Sequence, residues 1–161
     1  MFARVSWIVA TIIAVFCVCT YGVVIAQQQP ASSNQLVPQV CLGCLCEVTS
    51  GCNTTIGCSE SVCGPFAITW AYWADAGKPT LNDEPISTDG AYPRCVNDPY
   101  CAARVVQGYM AKFGQDCTGN GVIDCDDYVR IHRLGGYGCT GPLDNKYENR
   151  YKLCMQTFGR Q

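Results

Sequence analysis

The chain has 161 residues, of which 48% are hydrophobic and 15% charged, with 11 Lys and Arg against 13 Asp and Glu. This length suits one ordinary domain, and the apolar content excludes a disordered chain. Because the balance is slightly acidic and no run of Lys or Arg occurs, we expect no nucleic acid as a partner.

The first 26 residues have the features of a secretory signal peptide. Arg4 provides a positive charge, residues 5–23 are almost continuously apolar, and Val24-Ile25-Ala26 offers a cleavage site. The apolar run is long enough to span a bilayer, so an uncleaved membrane anchor is the alternative. The polar segment from Gln27 onwards carries no cationic stop signal, which favours cleavage, secretion and no stable membrane anchor.

Residues 27–40 are rich in Gln, Ser and Pro without periodicity, and we expect them to form a flexible leader before a domain over 41–161. Twelve of the fourteen cysteines remain after cleavage, an even number typical of disulfide-stabilised secreted domains. Zinc is the alternative, but only Cys41-x-x-Cys44 has a suitable ligand spacing. We therefore expect extracellular disulfides and no cofactor, and the sequence alone cannot choose their connectivity.

Strand signals are few, and the clearest is one short β-hairpin between Cys46 and Cys63. The aromatic segment 64–76 fits two interpretations. Alternation of Phe66, Ile68 and Trp70 fits a strand, whereas the length and the Ala residues fit a helix, which we favour.

Three helices are predicted further along the chain. The first covers 99–113, with Asn97 and Asp98 as capping residues and an apolar stripe for the core. The stripe consists of Ala102, Val105, Val106, Tyr109, Met110 and Phe113. The other two helices cover 125–133 and 146–158. The predicted class is therefore α+β, mainly α, with a small β element.

Two local motifs concern a metal and a modification. The segment 116–127 imitates a calcium loop, with Asp116, Thr118, Asn120, Asp124 and Asp127 as oxygen ligands. Cys117 and Cys125 could hold the same loop without a metal, so calcium is one of two interpretations. Asn53-Thr54-Thr55 is an N-glycosylation acceptor in a secreted protein.

A series of spaced motifs extends over about 41–154. It comprises Cys41-Leu-Gly-Cys44-Leu-Cys46, Ser50-Gly51-Cys52, Ile56-Gly57-Cys58, Cys63-Gly64-Pro65-Phe66-x-Ile68, Tyr72-Trp73-x-Asp75-x-Gly77-x-Pro79, Cys95-x5-Cys101, Gln107-x-Tyr109-Met110, Asp126-Asp127-Tyr128 and Ile131-His132-x3-Gly136-x-Gly138-Cys139. This order resembles the invertebrate-type (i-type) lysozymes, the family that includes leech destabilase. The resemblance implies a small disulfide-rich lysozyme-like domain.

The resemblance also implies hydrolysis of peptidoglycan β-1,4 bonds by two carboxylates, one an acid and the other a nucleophile. The family has its acid in Glu-Ser-Gly-Cys, whereas this chain has Thr49-Ser50-Gly51-Cys52. The family Asp lies in a longer loop, and in the shortened loop here Ser61 takes its position. A threonine hydroxyl cannot act as the proton donor, since its pKa is far above that of a carboxylic acid. We therefore expect hydrolysis to be weak or absent.

Neighbouring carboxylates could take the place of the two missing ones. Glu47 and Glu60 are the candidate substitutes for the two carboxylates, if the fold brings both into position. The isopeptidase activity associated with the family also loses its residues. Thr69 replaces the expected Lys, and His132 alone remains, as a base or as a hydrogen-bonded packing residue.

A glycan-binding surface is the other function that the resemblance implies. Its candidate sugar contacts are Thr69, Trp70, Ala71, Tyr72, Trp73, Ala74, Asp75, Tyr109, His132 and Gly136. Aromatic faces suit sugar rings, although Trp70 or Trp73 could instead belong to the core. The resemblance pairs the cysteines as Cys41–Cys125, Cys44–Cys154, Cys46–Cys52, Cys58–Cys63, Cys95–Cys101 and Cys117–Cys139.

Three functions remain open for what is expected to be a secreted monomer. They are a weak or inactive lysozyme, a binder of peptidoglycan or a related glycan, and a structural or inhibitory secreted protein.

Overall fold

The computed structural model describes residues 36–159, so the expected signal peptide over 1–26 and the leader residues 27–35 lie outside the described part. The elements in chain order are α1 (Gln39–Ser50), β1 (Cys58–Ser59), β2 (Val62–Cys63), β3 (Ile68–Thr69), α2 (Trp70–Asp75), a 3₁₀ turn (Leu81–Asp83), α3 (Ala91–Asn97), α4 (Pro99–Phe113), α5 (Cys125–Leu134) and α6 (Asn145–Phe158). The mainly helical class with a small sheet is confirmed.

Helix α1 begins inside the segment that we expected to be a flexible leader. Val37 is fully buried, and its backbone N–H and C=O both bond to the side-chain amide of Gln107 at 2.8 Å. The expectation of a leader up to residue 40 is therefore wrong for 36–40. Cys41, Leu45 and Val48 share the buried face of α1, a helical spacing that the Gln- and Pro-rich flank obscured.

The sheet is antiparallel with the order β1-β2-β3. Ser59 pairs with Val62, so the predicted hairpin closes through a two-residue loop. Strand β3 adds to this hairpin as Val62 pairs with Thr69. Segment 64–76 therefore contains both alternatives: a turn, the strand β3, and then the helix α2.

The three predicted helices are confirmed within one residue at each end, as α4, α5 and α6. Asp98 caps α4 by accepting from the Cys101 N–H at 2.7 Å, and Pro99 occupies its first turn. Asp124 and Asp127 form a capping box at the start of α5. Helix α3, which contains Pro93, was not predicted.

Helix α1 packs against α6 and α5, while α4 packs against α2, α3 and α5. The interior between them contains the stripe predicted for α4, of which Val105, Val106 and Met110 are completely buried. Six disulfides connect these elements: Cys41–Cys125, Cys44–Cys154, Cys46–Cys52, Cys58–Cys63, Cys95–Cys101 and Cys117–Cys139. This is the pairing that the resemblance implies.

None of the helices within 36–159 has the length and apolar character that a crossing of the bilayer requires.

Candidate functional site

His132 lies on α5 with both ring nitrogens engaged. Its Nε2 is 3.0 Å from the Phe66 carbonyl oxygen, which can only accept, so Nε2 carries the proton. The Tyr72 hydroxyl therefore donates to Nδ1 at 3.1 Å. Burial lowers the pKa of His132 to about 4, against the opposing effect of the hydrogen bond to Phe66. His132 is thus neutral near pH 7, with both ring nitrogens hydrogen-bonded inside the fold.

Tyr72 connects His132 to an aromatic stack. Its ring lies on that of Tyr109, with the ring centres 3.6 Å apart. The Tyr109 hydroxyl accepts from the Gly136 N–H at 3.3 Å, and a Cβ at Gly136 would overlap the Phe113 ring. Because Tyr109 and Gly136 are both buried, they support the site from beneath its surface.

The two tryptophans of α2 have opposite surroundings. Trp73 is 3% exposed, and its indole N–H donates to the Pro79 carbonyl at 2.7 Å, so it belongs to the core. Trp70 is 57% exposed, and the Lys78 Nζ lies 5.6 Å from its ring centre. Of these two residues, Trp70 is the one that can offer an aromatic face to a ligand.

The other candidate contacts in residues 69–75 also divide into structural residues and exposed residues. Thr69 caps α2 by accepting from the Tyr72 N–H at 3.1 Å. Ala71 is exposed and Ala74 is partly buried. Asp75 is exposed and forms a 2.6 Å ion pair with Lys112. Trp70, Ala71 and Asp75 are therefore the predicted contacts that a glycan could touch directly.

Tyr137 is an exposed aromatic residue that the sequence analysis missed. It lies in the turn after α5, is 95% exposed, and meets Phe113 edge-on with the ring centres 5.5 Å apart. The ring of Phe113 in turn packs against that of Tyr109, with the ring centres 4.5 Å apart. The signal was an aromatic residue between glycines, Gly136-Tyr137-Gly138, which is typical of a side chain presented on a turn.

The family model described as Destabilase matches residues 38–154 of this chain. The chain belongs to the destabilase family. Lysozyme 1 of Crassostrea virginica is 36% identical over 133 residues, which cover 75% of this chain and 65% of that protein, just under two thirds of its length. Invertebrate-type lysozyme 3 of Caenorhabditis elegans is 36% identical, with 71% of this chain and 84% of that protein covered. The solved structure of the inhibitor-bound lysozyme from Meretrix lusoria has a TM-score of 0.59 at 32% identity, covering 78% of this chain and 96% of that chain.

In this destabilase-family chain, Thr49 lies in the last turn of α1. Its Oγ1 is buried and has no hydrogen-bond partner among the described residues, and the same is true of the Tyr147 hydroxyl. The Thr49 hydroxyl nevertheless lies within hydrogen-bonding reach of the Tyr147 hydroxyl and lowers the pKa of Tyr147, against the larger opposing effect of burial. No ionisable carboxyl group occupies this position.

Ser61 and Glu60 form the exposed tip of the hairpin. Glu60 has a φ of 54°, in the left-handed region that favours glycine. Glu60 and Ser61 therefore form a two-residue hairpin connection between β1 and β2.

Glu47 lies on a different side of α1 from Thr49. Positions two apart on a helix differ by about 200° around its axis. Glu47 lines a groove between α1 and α6 with Leu153, Cys154 and Phe158, and its carbonyl accepts from Arg150 at 3.0 Å. Glu47 is therefore not brought to the position of Thr49.

The acidic loop 116–127 is held together by hydrogen bonds to its carboxylates. Asp116 accepts from the backbone N–H groups of Gly119, Asn120 and Gly121, which lower its pKa. Two other carboxylates of the loop accept backbone N–H groups in the same way. Asp127 accepts from Cys117, Thr118 and Asp124, and Asp124 accepts from Asp126. Within 36–159, no three His, Cys, Asp or Glu side chains group around a position for a metal ion.

Proposed function

We propose that this chain is a secreted, monomeric lysozyme homologue that binds peptidoglycan or a related glycan and hydrolyses its β-1,4 bonds weakly or not at all. The N-terminal signal and the twelve cysteines of the mature chain, joined in six disulfides, support secretion. The invertebrate lysozymes among the relatives support the class of ligand.

The buried, unpartnered hydroxyl of Thr49 carries the proposal of impaired hydrolysis. Hydrolysis of a glycosidic bond needs a carboxylic acid that stays protonated near the leaving oxygen. Threonine does not ionise in the working range of a general acid, so this hydroxyl cannot supply the proton.

The second carboxylate has no evident replacement. Ser61, at the family position, is an exposed hydroxyl at the hairpin tip. Glu60 shares that tip, and Glu47 lines the groove beside α6. Since catalysis needs both groups within a fraction of an ångström of their productive positions, we expect no working pair.

Exposed aromatic and polar groups support the proposal of a glycan-binding surface. Trp70 and Tyr137 offer exposed aromatic faces, and the Asp75–Lys112 pair offers acceptors and donors for sugar hydroxyls. The packed rings of Tyr72, Tyr109 and Phe113 hold this surface from beneath.

Lysis of bacterial cell walls by the purified, oxidised mature protein tests the loss of hydrolysis. We expect no lysis by the wild type and a detectable gain in Thr49→Glu with Ser61→Asp. Clear lysis by the wild type that disappears in Glu47→Gln with Glu60→Gln would overturn the proposal and identify those two residues as the working carboxylates.

Pull-down on insoluble cell walls tests the binding. We expect the wild type to bind and Tyr137→Ala to lose about tenfold in affinity, or about 1.4 kcal/mol. Tyr100→Ala is the matched control, because Tyr100 is also a highly exposed tyrosine, at 83%, but lies in the first turn of α4 and far along that helix from Phe113. A wild type that does not bind walls would leave the structural or inhibitory alternative.

A further inference from the structure

The turn after α1 contains the chain's single sequence of the form Asn-x-Ser/Thr, namely Asn53-Thr54-Thr55. None of the other six asparagines of the full sequence has Ser or Thr two positions later. This pattern is the acceptor of N-linked oligosaccharides in secreted proteins. Any N-linked glycan of this type on the protein must therefore be on Asn53.

The conformation of the turn suits modification. All three residues are exposed. The Asn53 Oδ1 accepts from the Thr55 N–H at 2.9 Å and from the Thr55 hydroxyl at 2.8 Å. The side-chain nitrogen of Asn53 makes no hydrogen bond within 36–159 that the fold would lose. The acceptor atom is therefore accessible while the sequence around it is held in one geometry.

The rest of the turn is fixed by other groups. The Asn53 backbone N–H donates to the Ser50 Oγ at 3.2 Å, and the Ser50 hydroxyl donates to the Pro65 carbonyl at 2.7 Å. The Cys46–Cys52 disulfide closes the same end of α1. A group attached to the Asn53 Nδ2 thus displaces none of the contacts that hold the turn.

We propose that Asn53 is N-glycosylated, an inference that rests on the proposed secretion of the chain. The Nδ2 forms a bond to the anomeric carbon of a lipid diphosphate-linked oligosaccharide and loses one proton. The bond between that carbon and the diphosphate oxygen breaks, and the lipid diphosphate leaves. The glycan then stands just beyond the end of α1, four residues after Thr49.

The test uses the full chain produced in a eukaryotic secretory cell line, together with a second form in which an established cleavable signal replaces residues 1–26. The mass of the protein from the medium is measured by mass spectrometry before and after treatment with peptide-N-glycosidase. We expect the treatment to remove an oligosaccharide mass and to convert Asn53 to Asp in the corresponding peptide. Unmodified protein in the medium from the second form would overturn the glycosylation. The full chain missing from the medium while the second form is secreted would overturn the secretion alone.

Two adjacent threonines provide the matched control. Thr55→Ala removes the hydroxyl that the acceptor sequence needs, so we expect complete loss of the glycan, as in Asn53→Gln. Thr54→Ala leaves the sequence intact, so we expect full occupancy. Equal occupancy in the two alanine variants would contradict the assignment to Asn53.

Discussion

The aromatic cluster around His132 and the end of α1 with its hairpin differ in how their polar groups are satisfied. In the cluster, both His132 nitrogens and the hydroxyls of Tyr72 and Tyr109 have hydrogen-bond partners. At the end of α1, the hydroxyl of Thr49 is buried without one. The polar groups of the aromatic cluster are therefore all hydrogen-bonded, while the positions that the resemblance assigns to chemistry contain no carboxyl group.

Among the substitutions considered, the largest change in stability is expected at a tryptophan of α2. Trp73 is buried in the core, whereas Trp70 lies on the surface. Trp73→Ala should lower the free energy of unfolding by about 3–5 kcal/mol, because it empties a core position and leaves the Pro79 carbonyl without its donor. Denaturant unfolding of the oxidised protein measures this loss.

Trp70→Ala is the control for that measurement. Since Trp70 is more than half exposed, its removal should change stability by no more than about 0.5 kcal/mol and weaken wall binding instead. Similar losses of stability in the two variants would contradict the division between a core and a surface tryptophan.

The next effect is a dependence of stability on pH that originates in the cluster. The pKa of His132 is about 4 in the folded protein, below its ordinary 6.5. As the pH falls below about 6.5, the unfolded chain binds a proton that the folded protein excludes, so stability decreases until about pH 4 and then no further from this group. The full loss is about 3 kcal/mol.

Unfolding in urea at several pH values across this window checks the prediction. The carboxylates of the chain also titrate in acid, so the wild type is compared with His132→Asn, which lacks the imidazole. We expect the variant to be less stable near neutral pH and to lose less stability on acidification. Parallel curves for the two proteins would show that His132 does not exclude the proton.

Helix α4 was predictable because local and tertiary signals agree in it. Asp98, Pro99 and the apolar stripe all indicate the same boundaries. Helix α1 was missed because it lacks a side-chain cap at Pro38 and contains Gly43, so that packing and the disulfides from Cys41 and Cys44 stabilise it instead of local propensity.

The sequence predicted which residues belong to the candidate site, but it did not predict which of them are exposed. Trp70 and Trp73 have the same residue type and lie one turn apart on α2, and only the packing of α3 and α4 decides which of them is covered. The partners of His132 come from positions 60 and 66 residues away, which no local pattern indicates. Tyr137 carried a local signal, the flanking glycines, that composition alone did not make prominent.

The same substitution should have unequal effects in the two regions. Thr49→Val should change the free energy of unfolding by no more than about 0.5 kcal/mol, because the Thr49 hydroxyl makes no hydrogen bond of good geometry and its removal leaves the neighbouring Tyr147 hydroxyl buried. Thr69→Val should lower it by about 0.5–2 kcal/mol, because the Thr69 hydroxyl accepts from the Tyr72 N–H at the start of α2. Thermal or denaturant unfolding measures both, and an equal loss in each variant would show that the Thr49 hydroxyl is satisfied in solution.

The smallest expected effect lies at the hairpin tip. Glu60→Gly should stabilise the protein by up to about 1 kcal/mol, because Glu60 is in the left-handed region, where a side chain with a Cβ is strained. Its neighbour Ser61 has no positive φ, so Ser61→Gly should instead cost a few tenths of a kcal/mol through the greater freedom of the unfolded chain. Unfolding midpoints of the two variants beside the wild type give the sign of each change. Equal midpoints for Glu60→Gly and Ser61→Gly would contradict the conclusion that the backbone of Glu60 is strained.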